Sequence, residues 1–226
     1  MTTTPILLHI ESSSITCGVA LSMGQQVVSE FVLHQKNIHS QKLASLIDII
    51  LSENQIKPGQ LNGIALSAGP GSFTGLRIGF SIVKGLVYAL NIPIIPISSL
   101  RIWAYQAGHY SGTIVPIIDA RRGEVFTAQY QWQNNSLKET VAPTLLVLEQ
   151  LPQWLPKGPV LLTGRDALSL LPNLQPHLSQ QVDYRSAPFI QLWALAELGI
   201  QAYIHKEWEN VKTIEPMYMR AFKGVL

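Results

Sequence analysis

Ile64-Ala65-Leu66-Ser67-Ala68-Gly69-Pro70-Gly71-Ser72-Phe73-Thr74-Gly75-Leu76-Arg77-Ile78-Gly79 is the stretch on which the fold turns. Ile64 to Ser67 reads as a short buried strand. Gly69-Pro70-Gly71 reads as a turn, since glycine permits positive φ and proline presets its own. Ser72 or Thr74 can cap a helix that runs on to about Leu90. The first N–H groups of that helix point out of a glycine-rich corner, and such a corner suits an anion. Neither familiar phosphate loop is present. A P-loop needs Lys-Ser/Thr directly after its last glycine, but Leu76-Arg77 follow Gly75 and Lys84 lies far down the helix. Gly69, Gly71 and Gly75 are one residue out of step with G-x-G-x-x-G. A tight, closely packed strand-to-helix turn is the first reading. A phosphate cradle of Gly69, Gly71, Ser72, Thr74 and Arg77 is the second.

The helix is apolar nearly all round. Leu76, Phe80, Val83 and Val87 form one face, Ile78, Ile82 and Leu86 another, while Gly75, Gly79, Gly85 and Ala89 let neighbouring backbones come close. Such a helix should be buried on two sides, one against its own sheet and one against a second helix or a partner subunit.

An apolar content of 47% with 13% charged residues over 226 positions argues for a well-packed globule and against disorder. A net charge of +2 is too small to imply nucleic-acid binding by itself. The lone Cys17 rules out an internal disulfide framework and fits a reducing compartment. Met1-Thr2-Thr3-Thr4-Pro5 lacks the basic residues of a secretory signal. No apolar run approaches the ~20 residues of a membrane span. The expectation is a soluble cytoplasmic protein.

Ile6–Glu11, Ile15–Ser22 and Gln26–Leu33 read as an antiparallel meander of strands. Ser40 can cap a helix over residues 41–54 with Leu43, Leu46, Ile47, Ile50 and Leu51 on one face, ended by Lys57-Pro58-Gly59. After the central strand, corner and helix, Ile92–Ile97 is a further strand, whose pairing Pro93 and Pro96 should make partial or confine to an edge. A helical stretch around Leu100–Ala107 follows, and the pattern begins again. Strands are expected over Thr113–Asp119, Gly123–Trp132 and Leu137–Val141, with Asn134-Asn135 as a hairpin turn. A helix over Leu146–Leu155, a strand over Pro159–Thr163 and a helix over Arg165–Leu171 follow. Residues 172–181 read as surface loop, and Pro188 opens a helix ending near Gly199. Three strands, helix, strand, helix thus occurs twice. That pattern predicts an α/β protein of two tandem ribonuclease H-like or actin-like halves, with mixed sheets flanked by helices, split as 1–100 and 101–226. Actin, sugar kinases and heat-shock chaperones are built this way, although a fold does not fix a function.

Glu11 ends the first strand, where ATPases of this fold place a metal- or phosphate-facing carboxylate. Asp119 holds the equivalent position in the second half, before Ala120-Arg121-Arg122-Gly123-Glu124. Arg121 and Arg122 could fork an anion. The alternative, ranked ahead of it, is that Asp119 pairs with one of them to fix the turn. Metal chemistry finds no support: His34 and His39 are not an i, i+4 pair, and H-E-x-x-H is absent. His9 reads as a core histidine. Cys17 lies mid-strand with no local cause for a lowered pKa, and no serine stands in G-x-S-x-G.

These residues resemble the TsaB family (also called YeaZ), bacterial proteins needed to make threonylcarbamoyladenosine in tRNA. The matching motifs are His39-Ser40-Gln41, Gly69 through Gly79, Lys84-Gly85-Leu86, Asp119-Ala120-Arg121-Arg122-Gly123-Glu124-Val125-Phe126 and Pro216-Met217-Tyr218-Met219-Arg220. The stretch from about Glu139 to Ser186 matches loosely. Family members usually carry aspartate where Glu11 stands. The resemblance implies a non-catalytic paralogue and partner of the modifying enzyme TsaD, with no cofactor or metal of its own and no peptidase activity. TsaD transfers the threonylcarbamoyl group to the adenine beside the anticodon, and the small ATPase TsaE completes the assembly. The resemblance further implies docking through the two first-half helices, for which Leu43, Leu46, Ile47, Ile50, Ile78, Ile82 and Leu86 are the candidates. Self-association through the same surface is implied when the partner is absent, and tRNA contact only within the complex. The alternative function is an actin-fold ATPase, phosphotransferase or nucleotide-sensing module using Glu11, Asp119 and the glycine corner.

Overall fold

The computed structural model describes residues 4–178 and 181–219. The readings made above at Met1-Thr2-Thr3, at Ser179-Gln180 and at Arg220 lie outside the described residues. The chain divides into two compact units, Met1–Ser99 with Phe189–Met217, and Leu100–Pro188 with Tyr218–Leu226.

In the first unit, β1 (Ile6–Glu11) and β2 (Thr16–Met23) are buried almost throughout and β3 (Gln26–His34) is partly exposed, the three paired antiparallel in a meander. Then come α1 (His39–Glu53), β4 (Gly63–Gly69), α2 (Phe73–Leu90) and β5 (Ile94–Ser98). β4 pairs parallel with β1 and β5 with β4, giving the order β3-β2-β1-β4-β5. β5 lies at the edge, as its prolines require, and its outer side meets the Glu209 N–H at Ile94 O (3.0 Å). α1 begins at His39 behind an Ile38 N-cap that lends no side-chain hydrogen bond, so Ser40 is not the cap. Ser72 does cap α2, its Oγ accepting from the Gly75 N–H at 3.2 Å.

The second unit repeats this order. α3 (Ser99–Gln106) leads into β6 (Thr113–Arg121), β7 (Glu124–Gln133) and β8 (Ser136–Val147), again an antiparallel meander. α4 (Leu151–Trp154), β9 (Val160–Thr163), α5 (Ala167–Leu174) and β10 (Asp183–Arg185) complete a sheet of order β10-β9-β6-β7-β8, with β9 parallel to β6. Two mixed sheets of one strand order, each flanked by helices, are the tandem ribonuclease H-like or actin-like α/β architecture. The expected helix over Leu146–Leu155 is mostly absent. β8 runs on to Val147 because Leu145, Leu146 and Val147 pair with Phe126, Val125 and Glu124, and only Leu151–Trp154 turns α-helical.

α6 (Leu192–Ile204) begins later than Pro188 and runs through Gly199. It belongs to the first unit, not to the half beginning at residue 101. Strand parity explains its seat: Leu8, Ile10, Val19 and Leu21 point to one face of the first sheet, while Gly18, Ala20 and Ala65 point to the other. The small residues let α6 lie close. A Cβ at Gly199 would stand 2.7 Å from Ala65 Cβ and 2.8 Å from His9 Nδ1, so only glycine fits there.

The opposite face carries the main core, closed by α1 and α2. Leu43, Leu46, Ile47 and Ile50 are buried in it with Phe80, Val83 and Val87. Four of the seven side chains expected at a docking surface therefore pack inside the protein's own core, because the apolar stripe of α1 faces its sheet. Ile78, Ile82 and Leu86 are half-buried along the flank of that core. Among the described residues α2 is the one helix long and apolar enough to cross a membrane by length and composition; Leu76, Phe80, Val83 and Val87 pack its apolar face into the core region instead.

Two outcomes follow from this packing. Ile50→Ala removes a fully buried side chain and is expected to destabilise the fold by about 2–5 kcal/mol in urea unfolding. His9 is wholly buried beside Ser22 Oγ (2.9 Å), and burial lowers its pKa from 6.5 to about 3. Its folded pKa lies below its unfolded one, so the stability it contributes is present above 6.5 and is lost as pH falls from there toward 3. Relative to His9→Leu, the wild type should lose about 2 kcal/mol between pH 7 and pH 5, read from urea midpoints.

Candidate functional site

The turn after β1 and the corner after β4 meet at the carboxyl edge of the first sheet, where an open α/β sheet usually receives its ligand. Glu11 is fully buried there. Its Oε1 accepts hydrogen bonds from the Ser13 N–H (2.8 Å), Ser13 Oγ (2.8 Å) and Ser14 Oγ (3.3 Å). Burial pushes the carboxyl above the usual carboxylate range, and hydrogen bonds from Ser13, Ser67 and Ser14 offset part of that rise. The group holds its own turn together and does not look out on solvent.

The glycines of the corner face the same turn. The Gly69–Pro70 peptide is cis. The Ser72 N–H donates to Ser13 O at 2.7 Å, and the Leu76 N–H to Ser72 O at 2.8 Å. A Cβ placed on Gly71, Gly75 or Gly79 would overlap Ser13 O, Ser12 O or Ser12 Oγ respectively, far inside the 3.0 Å that real Cβ atoms keep. Gly69, at φ +99°, sits against Leu76 Cδ1 and Met217 O, and the Met217 N–H donates to Ala68 O (2.7 Å). Of the residues read as anion-facing, Gly69, Gly71 and Ser72 are thus engaged with the protein itself. Thr74 and Arg77 remain exposed, and the Arg77 guanidinium lies 4.0 Å above the Phe73 ring. Spacing could have pointed to this packing. Gly75 and Gly79, four apart within α2, fall on one side of a helical repeat, which marks a close approach.

In the second unit the structure brings Asp119 and Arg121 together. Asp119 Oδ1 accepts from the Arg121 N–H (2.7 Å), and Oδ2 pairs with Arg121 Nη1 (3.2 Å). Arg121, Arg122 and Gly123 are all left-handed, at φ 67°, 59° and 74°. With the Arg121 side chain 80% exposed, the ion pair fixes the turn more than it stabilises the fold. Sequence reasoning missed Asp166. It lies 47 residues beyond Asp119, accepts the Asp119 N–H at 3.0 Å and is itself held by Arg165 Nε at 3.0 Å. Arg122 is exposed at the tip.

Histidine and cysteine side chains are engaged in packing. His34 stacks on Phe189 at 3.8 Å, and His39 Nε2 donates to Thr16 O at 3.1 Å. Burial pushes the Cys17 thiol up to about 11, which makes it a core residue rather than a nucleophile. Among the described residues no group of three His, Cys, Asp or Glu could hold a metal ion.

A different surface is left open. Ile49 of α1 is 42% exposed, and Tyr88 of α2 is 74% exposed. Ser81, Gly85 and Ala89 are exposed on α2, next to half-buried Ile78, Ile82 and Leu86. A Cβ at Gly85 would meet nothing within 4 Å.

A family model described as TsaD, tRNA N6-adenosine threonylcarbamoyltransferase, matches residues 26–168. The chain is 36% identical over 162 residues to the tRNA threonylcarbamoyladenosine biosynthesis protein TsaB of Bacillus subtilis, covering 71% of each chain. It is 35% identical over 133 residues to the protein of the same name from Escherichia coli, covering 58% of this chain and 57% of that one. Among solved structures, YeaZ from Pseudomonas aeruginosa superposes with a TM-score of 0.81 at 25% identity, covering 95% of this chain and 99% of that one. A second Pseudomonas aeruginosa structure, an uncharacterized protein with similarity to peptidase YEAZ, gives 0.83 at 24% identity, covering 96% and 100%. With seven-tenths of its length aligned at 36% identity to a curated TsaB protein, the chain belongs to the TsaB family of tRNA threonylcarbamoyladenosine biosynthesis proteins.

Proposed function

We propose that this chain is a non-catalytic subunit of a tRNA threonylcarbamoyladenosine transferase assembly, docking a TsaD-type catalytic subunit through the exposed flank of α1 and α2. The observation that carries this reading is the apolar flank itself, which runs from Ile49 across Ile78, Ile82 and Leu86 to Tyr88 and includes the bare Gly85. Small residues beside large apolar ones allow another helix to approach closely and to bury the large ones. Leu43, Leu46, Ile47 and Ile50 support this surface from beneath and do not form it. The same flank serves self-association when the partner is absent. A TsaE-type ATPase as third component, tRNA contact confined to the assembly and a cytoplasmic location come with the family reading. The Glu11 carboxyl and the glycine corner play no chemical part in this proposal, since both are turned into the protein.

Gly85→Glu tests the docking flank without touching the core. Open space at Gly85 and the higher helix propensity of glutamate should leave the thermal midpoint unchanged or slightly raised. Association with the TsaD-type subunit, measured by calorimetry, should weaken at least about tenfold. Unchanged affinity would remove the flank from the interface.

Nucleoside mass spectrometry tests the pathway. tRNA from cells depleted of this protein should lose threonylcarbamoyladenosine, and wild type and Glu11→Gln should restore it alike. Restoration by wild type alone would return Glu11 to a working site. The same variant has a pH signature. The folded pKa of Glu11 is raised, so its contribution is fully present below the unfolded value of 4.5 and is lost as pH rises through the folded one. Glu11→Gln should therefore gain stability over wild type as pH is raised from 4.5, followed by urea midpoints.

A further inference from the structure

The most specific motif in the chain, the run from Gly69 to Gly79, has no chemical task in the function proposed above. We infer that Ser12 and Ser13 form an internal seat on which Gly71, Gly75 and Gly79 fix the pose of α2. These residues thereby act as positioning residues for the docking flank, and the seat fills the space a nucleotide phosphate would need.

Three observations carry this. Gly75 and Gly79 stand four apart in α2 and so look the same way, and Gly71, just ahead of the Ser72 cap, meets the same turn. Each missing Cβ falls on a different atom of one short turn: Ser13 O, Ser12 O and Ser12 Oγ. The turn is itself braced, because Oε1 of the buried Glu11 takes the Ser13 N–H and the Ser13 and Ser14 hydroxyls, and Ser67 Oγ accepts from the Ser12 N–H at 3.3 Å. A rigid turn meeting a side-chain-free helix face leaves α2 one pose. The Ser72 N–H, bonded to Ser13 O, sets its height along the turn. Ile78, Ile82 and Leu86 lie on the same rigid helix, so their direction is decided at the seat.

Three of the corner's donors are occupied in the same way. The Ser72 N–H goes to Ser13 O, the Gly75 N–H to Ser72 Oγ and the Leu76 N–H to Ser72 O. The carbonyl oxygens of Ser13 and Ser12 face Gly71 and Gly75, and an anion brought against them would be repelled.

Gly79→Ala isolates the effect. Alanine favours a helix over glycine, so any loss comes from the contact with Ser12 and not from the helix. Hydrogen–deuterium exchange of the α2 amides should quicken by about tenfold or more, since local opening tracks local stability. Ser12→Ala removes the clashing Oγ and leaves only its Cβ, 3.2 Å from the new methyl, a gap closed by a shift of a few tenths of an ångström. The double variant Gly79→Ala/Ser12→Ala should therefore return to within about threefold of wild type, and Ser12→Ala alone should not differ. Gly75→Ala meets the Ser12 backbone carbonyl, so no side-chain change at Ser12 should rescue it. Affinity for the TsaD-type subunit should follow the same order, and Mg-ATP titrated into the wild type should give no heat.

Exchange in Gly79→Ala equal to wild type, or a double variant no better than the single, would overturn the seat. If Gly79→Ala fails to fold, recovery of folded protein in the double variant supports the seat and its absence overturns it. Exchange that follows the expected order with affinity unmoved would overturn the positioning role. Saturable Mg-ATP binding lost in Ser12→Ala would overturn the claim that the space is filled. The docking part rests on the function proposed above. A wild-type chain that does not bind the TsaD-type subunit while exchange follows the expected order would fail that reading and leave the seat standing.

Discussion

One close approach organises the first half of this protein: the start of α2 lies against the carbonyls of Ser13 and Ser12 at Gly71 and Gly75, and against the Ser12 hydroxyl at Gly79. With Ser12 and Ser13 in place, only glycine at 71, 75 and 79 allows it. Once α2 is placed there, Leu76, Phe80, Val83 and Val87 reach into the fold and Ile78, Ile82 and Leu86 lie along its flank. Glu11 belongs to the same constraint. A buried carboxyl is costly unless hydrogen bonds satisfy it, and here three donors from the following turn satisfy Oε1 alone and fix the shape α2 rests on, while Oε2 stays buried without a partner among the described residues and the carboxyl's pKa is raised.

The two halves share a strand order yet treat the matching turn in opposite ways. After β1 the turn is buried and closed over by a helix. After β6 it is an exposed hairpin tip, held left-handed at Arg121 and Arg122 and steadied by Asp119 and Asp166. Shared topology places both turns at the carboxyl edge of their sheets, and local sequence alone decides whether that edge is open.

Much of the fold was legible because alternation and helical spacing are direct readouts of burial. The apolar runs of the meander and the repeat of the pattern follow from them, while glycine and proline marked the corner and the edge position of β5. Helical spacing cannot tell a face that meets the protein's own sheet from one that meets a partner. Leu43, Leu46, Ile47 and Ile50 were therefore readable as an apolar face but not as core. The environment of Glu11 depends on Ser67, 56 positions away, and the setting of Asp119 on Asp166; neither partner is visible locally. β10, three exposed residues, carries no alternation to read. The course of α6 escaped for a related reason. Gly199 looked like a helix end, whereas it marks the point where the helix presses on His9 and Ala65.

That last helix has a consequence for how the protein is made. The first sheet is complete in sequence once β5 ends at Ser98, but the helix that covers one of its faces ends at Ile204. At the pace of ribosomal synthesis the intervening hundred or so residues take on the order of ten seconds. During that interval the face bearing Gly18, Ala20 and Ala65 waits on the ribosome without its cover, while the second meander and its helices emerge.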